Sequence, residues 1–434
     1  MTQGASTPAG SEGATCKVAR KVATTKVASD TRKGFVVTTF AALAGCNFST
    51  ASRQPASGSG CDGYCQQGSS PPMVNDEERP RIPMTQKQST RPRLPRWAVV
   101  TLQSIGVLLA VAIFALVMFA VLPVSTHGLE PQPRPAATYA EAEAALAGIE
   151  RAETQARIKP ECRTRLLGPA RRTEQVIVLY HGLTNCPRQM LDLGRQLAQT
   201  KANVLVMRIP GHGISGGTVH DLSGLDAEAI RDTTDQGLDI ARGLGAQTTV
   251  VGMSLGGNMA AWAAQERTDV YRAVLIAPAL VLGNVSRPVA NVFRNTFTRL
   301  PPLVIPGTGV QRESHTYPDA TPLRPSAETF RFGTRVLREA AGRAPQADEL
   351  AILENASDRT ISNEAISELV SDWRTQGAQV REVVLPASLG LPHDVMDHTQ
   401  DDAKPGIVDP IVVALATGAP LPSPLPPGTR VSDR

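Results

Sequence analysis

The sequence predicts an α/β fold, a mostly parallel sheet with helices on both faces, preceded by one transmembrane helix. Three observations carry that expectation. From residue 175 onward, short β-branched runs alternate with helical segments. Upstream, WAVVTLQSIGVLLAVAIFALVMFAVL (97–122) is apolar and free of charge. Between them in kind, VVGMSLGGNM (250–259) sets a G-x-S-x-G pentapeptide at a strand-to-helix junction.

The first eighty or so residues are rich in Ser, Thr, Gly, Ala and Pro and show no sustained period of 3.6 or 2, so disorder is expected there. FVVTTFAALAGC (35–46) has the outline of a lipoprotein signal ending at Cys46, but its apolar core is interrupted by Thr38 and Thr39. A conventional basic region, MTQKQSTRPRLPR, begins at Met84 and leads into the apolar run, which makes Met84 the expected start. No Asp, Glu, Lys or Arg occurs between Arg96 and Glu130, and the run is long enough to cross about 30 Å of hydrocarbon as a helix. It exceeds the apolar core of a cleaved signal peptide. Arg91, Arg93 and Arg96 precede it and only Arg134 follows closely, which places the N-terminus in the cytoplasm and the C-terminal bulk outside the cell membrane.

Net charge is only +4, with the basic excess in the first hundred residues, so the chain has no footprint for nucleic acid. Four cysteines (Cys16, Cys46, Cys61, Cys65) precede the apolar run without convincing zinc spacing, and no metal or cofactor is expected. Cys162 and Cys186 follow it, in what should be an oxidising compartment, where a disulfide is expected rather than two buried thiols. The bridge would close about two dozen residues, worth on the order of 3 kcal/mol by loop entropy.

After the Pro-rich link LEPQPRPAA (129–137), YAEAEAALAGIERAETQAR reads as a leading helix. QVIVLYHG (175–182) reads as a buried parallel strand, PRQMLDLGRQLAQ as a helix with Pro near its start, and NVLVMRIPG (203–211) as a second strand. LDAEAIRDTTDQGLDIARGLG is a long helix, TTVVGM a strand, SLGGNMAAWAAQE a helix and YRAVLIAPAL (271–280) a strand. LAILEN (350–355), the helix NEAISELVSDWRTQ, the strand VREVVLP (380–386) and a helix near PGIVDPIVVALA complete the pattern. Residues 281–325 break it: Val285, Val289, Val292, Phe293 and Leu300 share one side of an amphipathic helix with Arg287, Arg294 and Arg299 interleaved, and Pro-rich loops follow. Such an insertion after a strand suits a lid over an active site, as against an ordinary surface excursion.

Strand, sharp turn and helix around Ser254 are what an exposed nucleophile requires, with Gly252 and Gly256 removing side chains that would clash. A serine needs a base and a carboxylate to orient it. Among seven histidines, His127 lies beside the membrane run, His315 in the insertion, and His181, His212 and His220 before Ser254. His393 and His398 lie in LPASLGLPHDVMDH, beyond the last strands, and His393 is the better placed as base. Asp358, after the strand LAILEN, is the natural acid, with Glu354 in reserve. His181 and His212, in HG and GHG turns, read as structural hydrogen bonders.

With these pieces in place, residues 160–420 resemble the α/β-hydrolase superfamily, and within it the monoacylglycerol lipase and bacterial carboxylesterase branch. The resemblance rests on VLYHGLTNCP, LVMRIPGHG, VVGMSLGGNMA, LENASDRTIS and LPHDVMD, in family order. It implies Ser254 as nucleophile, Asp358 as orienting acid, His393 as general base, and the backbone N–H groups of Leu183 and Leu255 as the oxyanion hole. HGLT stands where another esterase branch has HGGG, which argues against that branch. The cysteine pair is not general in the superfamily.

The expected layout is a cytoplasmic segment (1–96), a signal anchor (97–122), a linker and leading helix (123–158), a catalytic domain (159–420) with its lid (281–325), and a Pro-rich flexible tail (421–434). The expected function is a membrane-anchored carboxylic ester hydrolase acting on a small-molecule or lipid ester. A peptidase, a thioesterase, or a binding protein with a retired site would use the same fold. Oligomeric state is not legible. Mass spectrometry of the native N-terminus checks the start: peptides should begin at Met84, and one from upstream would overturn it.

Overall fold

The computed structural model describes residues 94–307, 317 and 320–433. The expectations for Met84, Cys46 and the other N-terminal cysteines, and the position of His315, lie outside the described residues.

The charge-free run forms α1 (Arg96–Val121), 26 residues that rise about 39 Å at 1.5 Å each. None of them is buried, and the helix is long and apolar enough to cross a membrane. The link that follows is fastened to the domain rather than free. Trp262 donates to the Leu129 carbonyl at 2.8 Å, Arg231 to that of Gly128 at 2.6 Å, and Arg331 to that of Ser125 at 2.7 Å. Leu129 itself is fully buried.

Next come α2 (Tyr139–Gln155), capped by the Thr138 hydroxyl, then β1 (Arg165–Leu167), β2 (Thr173–Tyr180), α3 (Arg188–Ala198) and β3 (Asn203–Met207). α4 (Ala227–Leu244), β4 (Gly245–Met253), α5 (Leu255–Glu266) and β5 (Arg272–Ile276) follow. The insertion holds α6 (Arg287–Phe297) and an antiparallel pair, β6 (Val304–Pro306) with β7 (Ala320–Pro322). α7 (Leu323–Gly342), β8 (Glu349–Asn355), α8 (Asn363–Thr375), β9 (Val380–Leu385), α9 (Pro405–Thr417) and β10 (Arg430–Asp433) complete the chain.

The main sheet runs β1-β3-β2-β4-β5-β8-β9-β10, parallel except for its two edge strands. Its middle strands are β-branched and buried on both faces, as helices on both sides require. The chain leaves β2 for β3 on one side and returns to β4 on the other, so a crevice opens at the carboxyl ends of these strands.

Three elements differ from expectation. β1 has three residues, too few for a periodic signal. α7 follows the insertion directly and buries Phe330, Phe332, Val336 and Leu337. The tail expected to be flexible ends in β10, an edge strand held in register by Arg381–Asp433 at 2.8 Å and by Arg374 donating to Ser432 at 3.1 Å.

Arg267, after α5, is a buried hub: its guanidinium meets Asp235 at 2.6 Å, Asp269 at 2.7 Å and Asp239 at 2.8 Å. Asp235 and Asp239 also accept the N–H groups of Gln132 and Arg134, tying the link to α4. Arg267→Ala would leave buried carboxylates uncompensated and should lower unfolding stability by about 3–5 kcal/mol in urea titration. An unchanged midpoint would show that the hub is dispensable.

Candidate active site

Ser254 sits between β4 and α5 with φ 56 and ψ −109, a conformation costly for a residue with a side chain. It persists because its surroundings fix it. Its N–H donates to Ile276 at 2.9 Å, and its carbonyl accepts from Asn258 at 3.0 Å and Ala279 at 3.1 Å. A Cβ on Gly252 would collide with the Gly256 backbone, and one on Gly256 with the Tyr180 carbonyl, so nothing larger fits where α5 approaches β2 and β4.

His393, in the loop after β9, places Nε2 at 2.9 Å from Ser254 Oγ and Nδ1 at 2.6 Å from Asp358 Oδ2. A carboxylate only accepts, so Nδ1 carries the proton and the Nε2 lone pair faces the serine hydroxyl. The Asp358 side chain is fully buried, and its other oxygen accepts from the N–H groups of Thr360 at 2.9 Å and Ile361 at 3.3 Å. Four sequence-predicted residues thus meet at one end of the sheet: Ser254, Asp358 and His393 bonded in series, and Leu255 in the first turn of α5. There helix geometry leaves its N–H without an intrahelical partner. Leu183 follows Gly182, whose ideal Cβ would stand 3.6 Å from that of Ser254. Cys162 and Cys186 are joined by a disulfide with Cα atoms 5.2 Å apart.

Residues 171–380 match a family profile described as serine aminopeptidase, S33. The profile, the parallel sheet with its strand-reversal crevice and the nucleophile-type turn after β4 agree. The domain has the α/β-hydrolase fold. Solved structures similar to it include a monoacylglycerol lipase of Paleococcus ferrophilus at 19% identity, covering 59% of this chain and 98% of that one with a TM-score of 0.45. A soluble variant of the Saccharomyces cerevisiae monoglyceride lipase is 13% identical, covering 55% and 85%, with a TM-score of 0.43. A structure reported for the metagenome-derived lipolytic enzymes LipS and LipT is 15% identical, covering 55% and 92%, with a TM-score of 0.44. No curated protein matches the sequence.

Within this domain a cavity of about 200 Å³ opens beside Ser254 and His393, walled by Leu282, Phe293, Phe330 and Ile361. The apolar residues of the insertion do not share one side. Phe293 turns into the cavity, whereas Val285, Val289 and Val292 face outward and are exposed.

His181 and His212 are fully buried and bonded to backbone. His181 Nε2 accepts from Ile209 N–H at 3.1 Å, and His212 Nε2 from Thr184 N–H at 3.3 Å. Burial holds both well below the ordinary histidine range, His212 down to about 4, so they lock the Leu183 loop as neutral rings. His398 lies apart from Ser254, between Asp192 and Asp409.

Sequence reading missed three supporting residues. Asn355 donates to the carbonyls of Leu391 and Pro392, both at 3.0 Å, and so holds the loop that carries His393. Gln189 accepts the Gly182 N–H at 2.7 Å and donates to Asp394 at 2.6 Å, coupling the Leu183 loop to the residue after His393. Burial, then Asp397 nearby, pushes the Asp394 carboxyl up to about 6. The polar residues in LENASD, CPRQM and PHDVMD were the only signal, and none has a period.

Glu354, the reserve acid, is buried on β8 beside Glu382 on β9 and makes no hydrogen bond to His393. Burial, then Glu382, pushes its carboxyl up to about 8 from 4.5. A raised acid keeps its proton longer in the folded state, so its contribution is present below the unfolded value and is lost as pH rises through the folded one. Between about pH 5 and 8 the wild type should lose stability relative to Glu354→Gln. Urea midpoints of the pair that stay parallel over that window would contradict this.

Proposed function

We propose that this chain is a membrane-anchored serine hydrolase that cleaves carboxylic esters through an acyl-enzyme. The series Ser254–His393–Asp358, bonded at 2.9 and 2.6 Å, is the observation that carries this reading. Ser254 Oγ attacks the ester carbonyl carbon while its proton passes to His393 Nε2. The resulting oxyanion is held by the N–H groups of Leu183 and Leu255. Collapse of this intermediate expels the alcohol, which takes the proton from His393 and leaves acyl-Ser254. Water then attacks, returning a proton through His393, and releases the carboxylic acid. Asp358 keeps the imidazole in the required tautomer and stabilises its protonated form.

The apolar wall of Leu282, Phe293, Phe330 and Ile361 favours an acyl chain over a polar acid. The aminopeptidase description of the matching profile raises the alternative of amide substrates with a free α-ammonium. That group calls for a carboxylate, and the only one among the described residues lining the cavity is Asp394, already held by Gln189 and by Asn185 at 2.9 Å. Anchoring rests on α1, and the outward placement of the domain on the basic residues before α1 and on the Cys162–Cys186 bridge, which suits an oxidising compartment.

Ser254→Ala should abolish fluorophosphonate labelling and lower nitrophenyl ester turnover by about 10⁴-fold or more, with His393→Ala close behind. A folded wild type that resists the probe would remove the catalytic reading. Faster turnover of an amino-acid naphthylamide than of any ester would move the assignment to a peptidase.

A further inference from the structure

The insertion helix is bound to the end of the apolar helix. α6 packs on the last turns of α1, where Ala115, Met118 and Ala120 are the half-buried residues of an otherwise exposed stretch. Arg299 donates to the carbonyls of Phe119 at 2.9 Å, Leu122 at 2.8 Å and Pro123 at 2.9 Å, and buried Asn295 donates to that of Ala120 at 3.1 Å. The last carbonyls of a helix lack partners of their own, and in a membrane they must find donors. Here the insertion supplies them, through the guanidinium fork of Arg299 just past α6 and the amide of Asn295 within it.

Position along α1 sets the depth. About 20 residues cross the hydrocarbon core, so a span starting at Trp97 reaches the far boundary near residue 117. The carbonyls of 119–123 then lie at the interface, and α6, bonded to them, lies there too. Its outward face carries Val289 and Val292, with Val285 just before its first turn, each more than 40% exposed, and Arg287, paired with Glu368, stands at its start; such an uncovered apolar face suits a helix lying in the plane of a bilayer. The link after α1 is fastened to the domain through Ser125, Gly128 and Leu129, which holds α6 near that level.

We propose that the outer face of α6 is seated in the interface of the bilayer that α1 crosses, so that the wall of the cavity formed by Phe293 is the inner side of a lipid-embedded helix and the ester enters from that leaflet. This rests on reading α1 as a membrane span and the cavity as an esterase site.

The test uses the full chain in phosphatidylcholine vesicles containing a diazirine-bearing phosphatidylcholine, with crosslinks mapped by mass spectrometry. Crosslinks should fall in 97–121 and again in 285–299. Crosslinks confined to 97–121 would overturn the seating of α6 and leave the anchor intact, and crosslinks in neither would remove the span together with it. Val289→Asp with Val292→Asp should cut crosslinking at α6, and the hydrolysis of mono-oleoylglycerol in the vesicles, about tenfold. Neither residue lines the cavity, so turnover of soluble nitrophenyl butyrate should be unchanged. Equal hydrolysis of the vesicle-borne ester by wild type and variant would overturn the proposal, and no turnover of either ester by wild type would instead remove the esterase reading. If the variant also slows the soluble ester, the wild-type crosslinks decide alone.

Discussion

The close approach of the first turn of α5 to strands β2 and β4 constrains every other part of the site. Gly252 and Gly256 allow backbone to lie against backbone there, and the strained turn at Ser254 is held by bonds from Ile276, Asn258 and Ala279. Those bonds come from β5, α5 and the segment after β5, so the serine is fixed by the sheet and not by its own loop. Once its hydroxyl points out of the crevice, the loops after β8 and β9 need only bring Asp358 and His393 to it. Asn355 does part of that work by gripping the backbone just before His393.

On the proposed reading, charge is arranged so that a developing oxyanion would meet dipoles and not competing ions. His181 and His212 lie behind the Leu183 loop as neutral rings because burial disfavours their charged forms. Gln189 transmits the position of Asp394 to Gly182 through two hydrogen bonds. The Leu183 loop and the His393 loop are therefore one hydrogen-bonded body. In serine hydrolases, the class proposed for this chain, preorganisation of this kind is usually the largest contribution to catalysis.

The same loop is braced from outside. Cys186 lies between the Leu183 loop and the start of α3, and its disulfide partner Cys162 packs against Gly213, two residues beyond Gly211 in the turn after β3. Tyr317 donates to the Gly211 carbonyl at 2.7 Å and accepts the Gly213 N–H at 3.0 Å, joining the insertion to this brace. At the opposite face, Arg267 and Trp262 fasten the link from α1, so the domain is oriented by the segment that leads to it.

Periodicity and turn chemistry made the parallel strands, their helices and the turn at Ser254 legible, because each depends on residues adjacent in sequence. Chain order then singled out Asp358 and His393, which stand 35 residues apart yet 2.6 Å from one another. What had no local signature stayed hidden: β1 and β10 are too short for a period, and α7 runs on from the insertion without a turn signal. Gln189, Asn355 and Asp394 are single polar residues whose worth comes from partners far along the chain. The valines and Phe293 of α6 looked alike as apolar residues in a row. Only packing separates them, because α7 and the cavity take one side of the helix while α1 and the open surface take the other. Sequence by itself determined which backbone could form and where the turn carrying Ser254 must lie; tertiary structure alone decided which polar groups meet and which apolar face stays uncovered, since burial and hydrogen bonding are properties of neighbours in space.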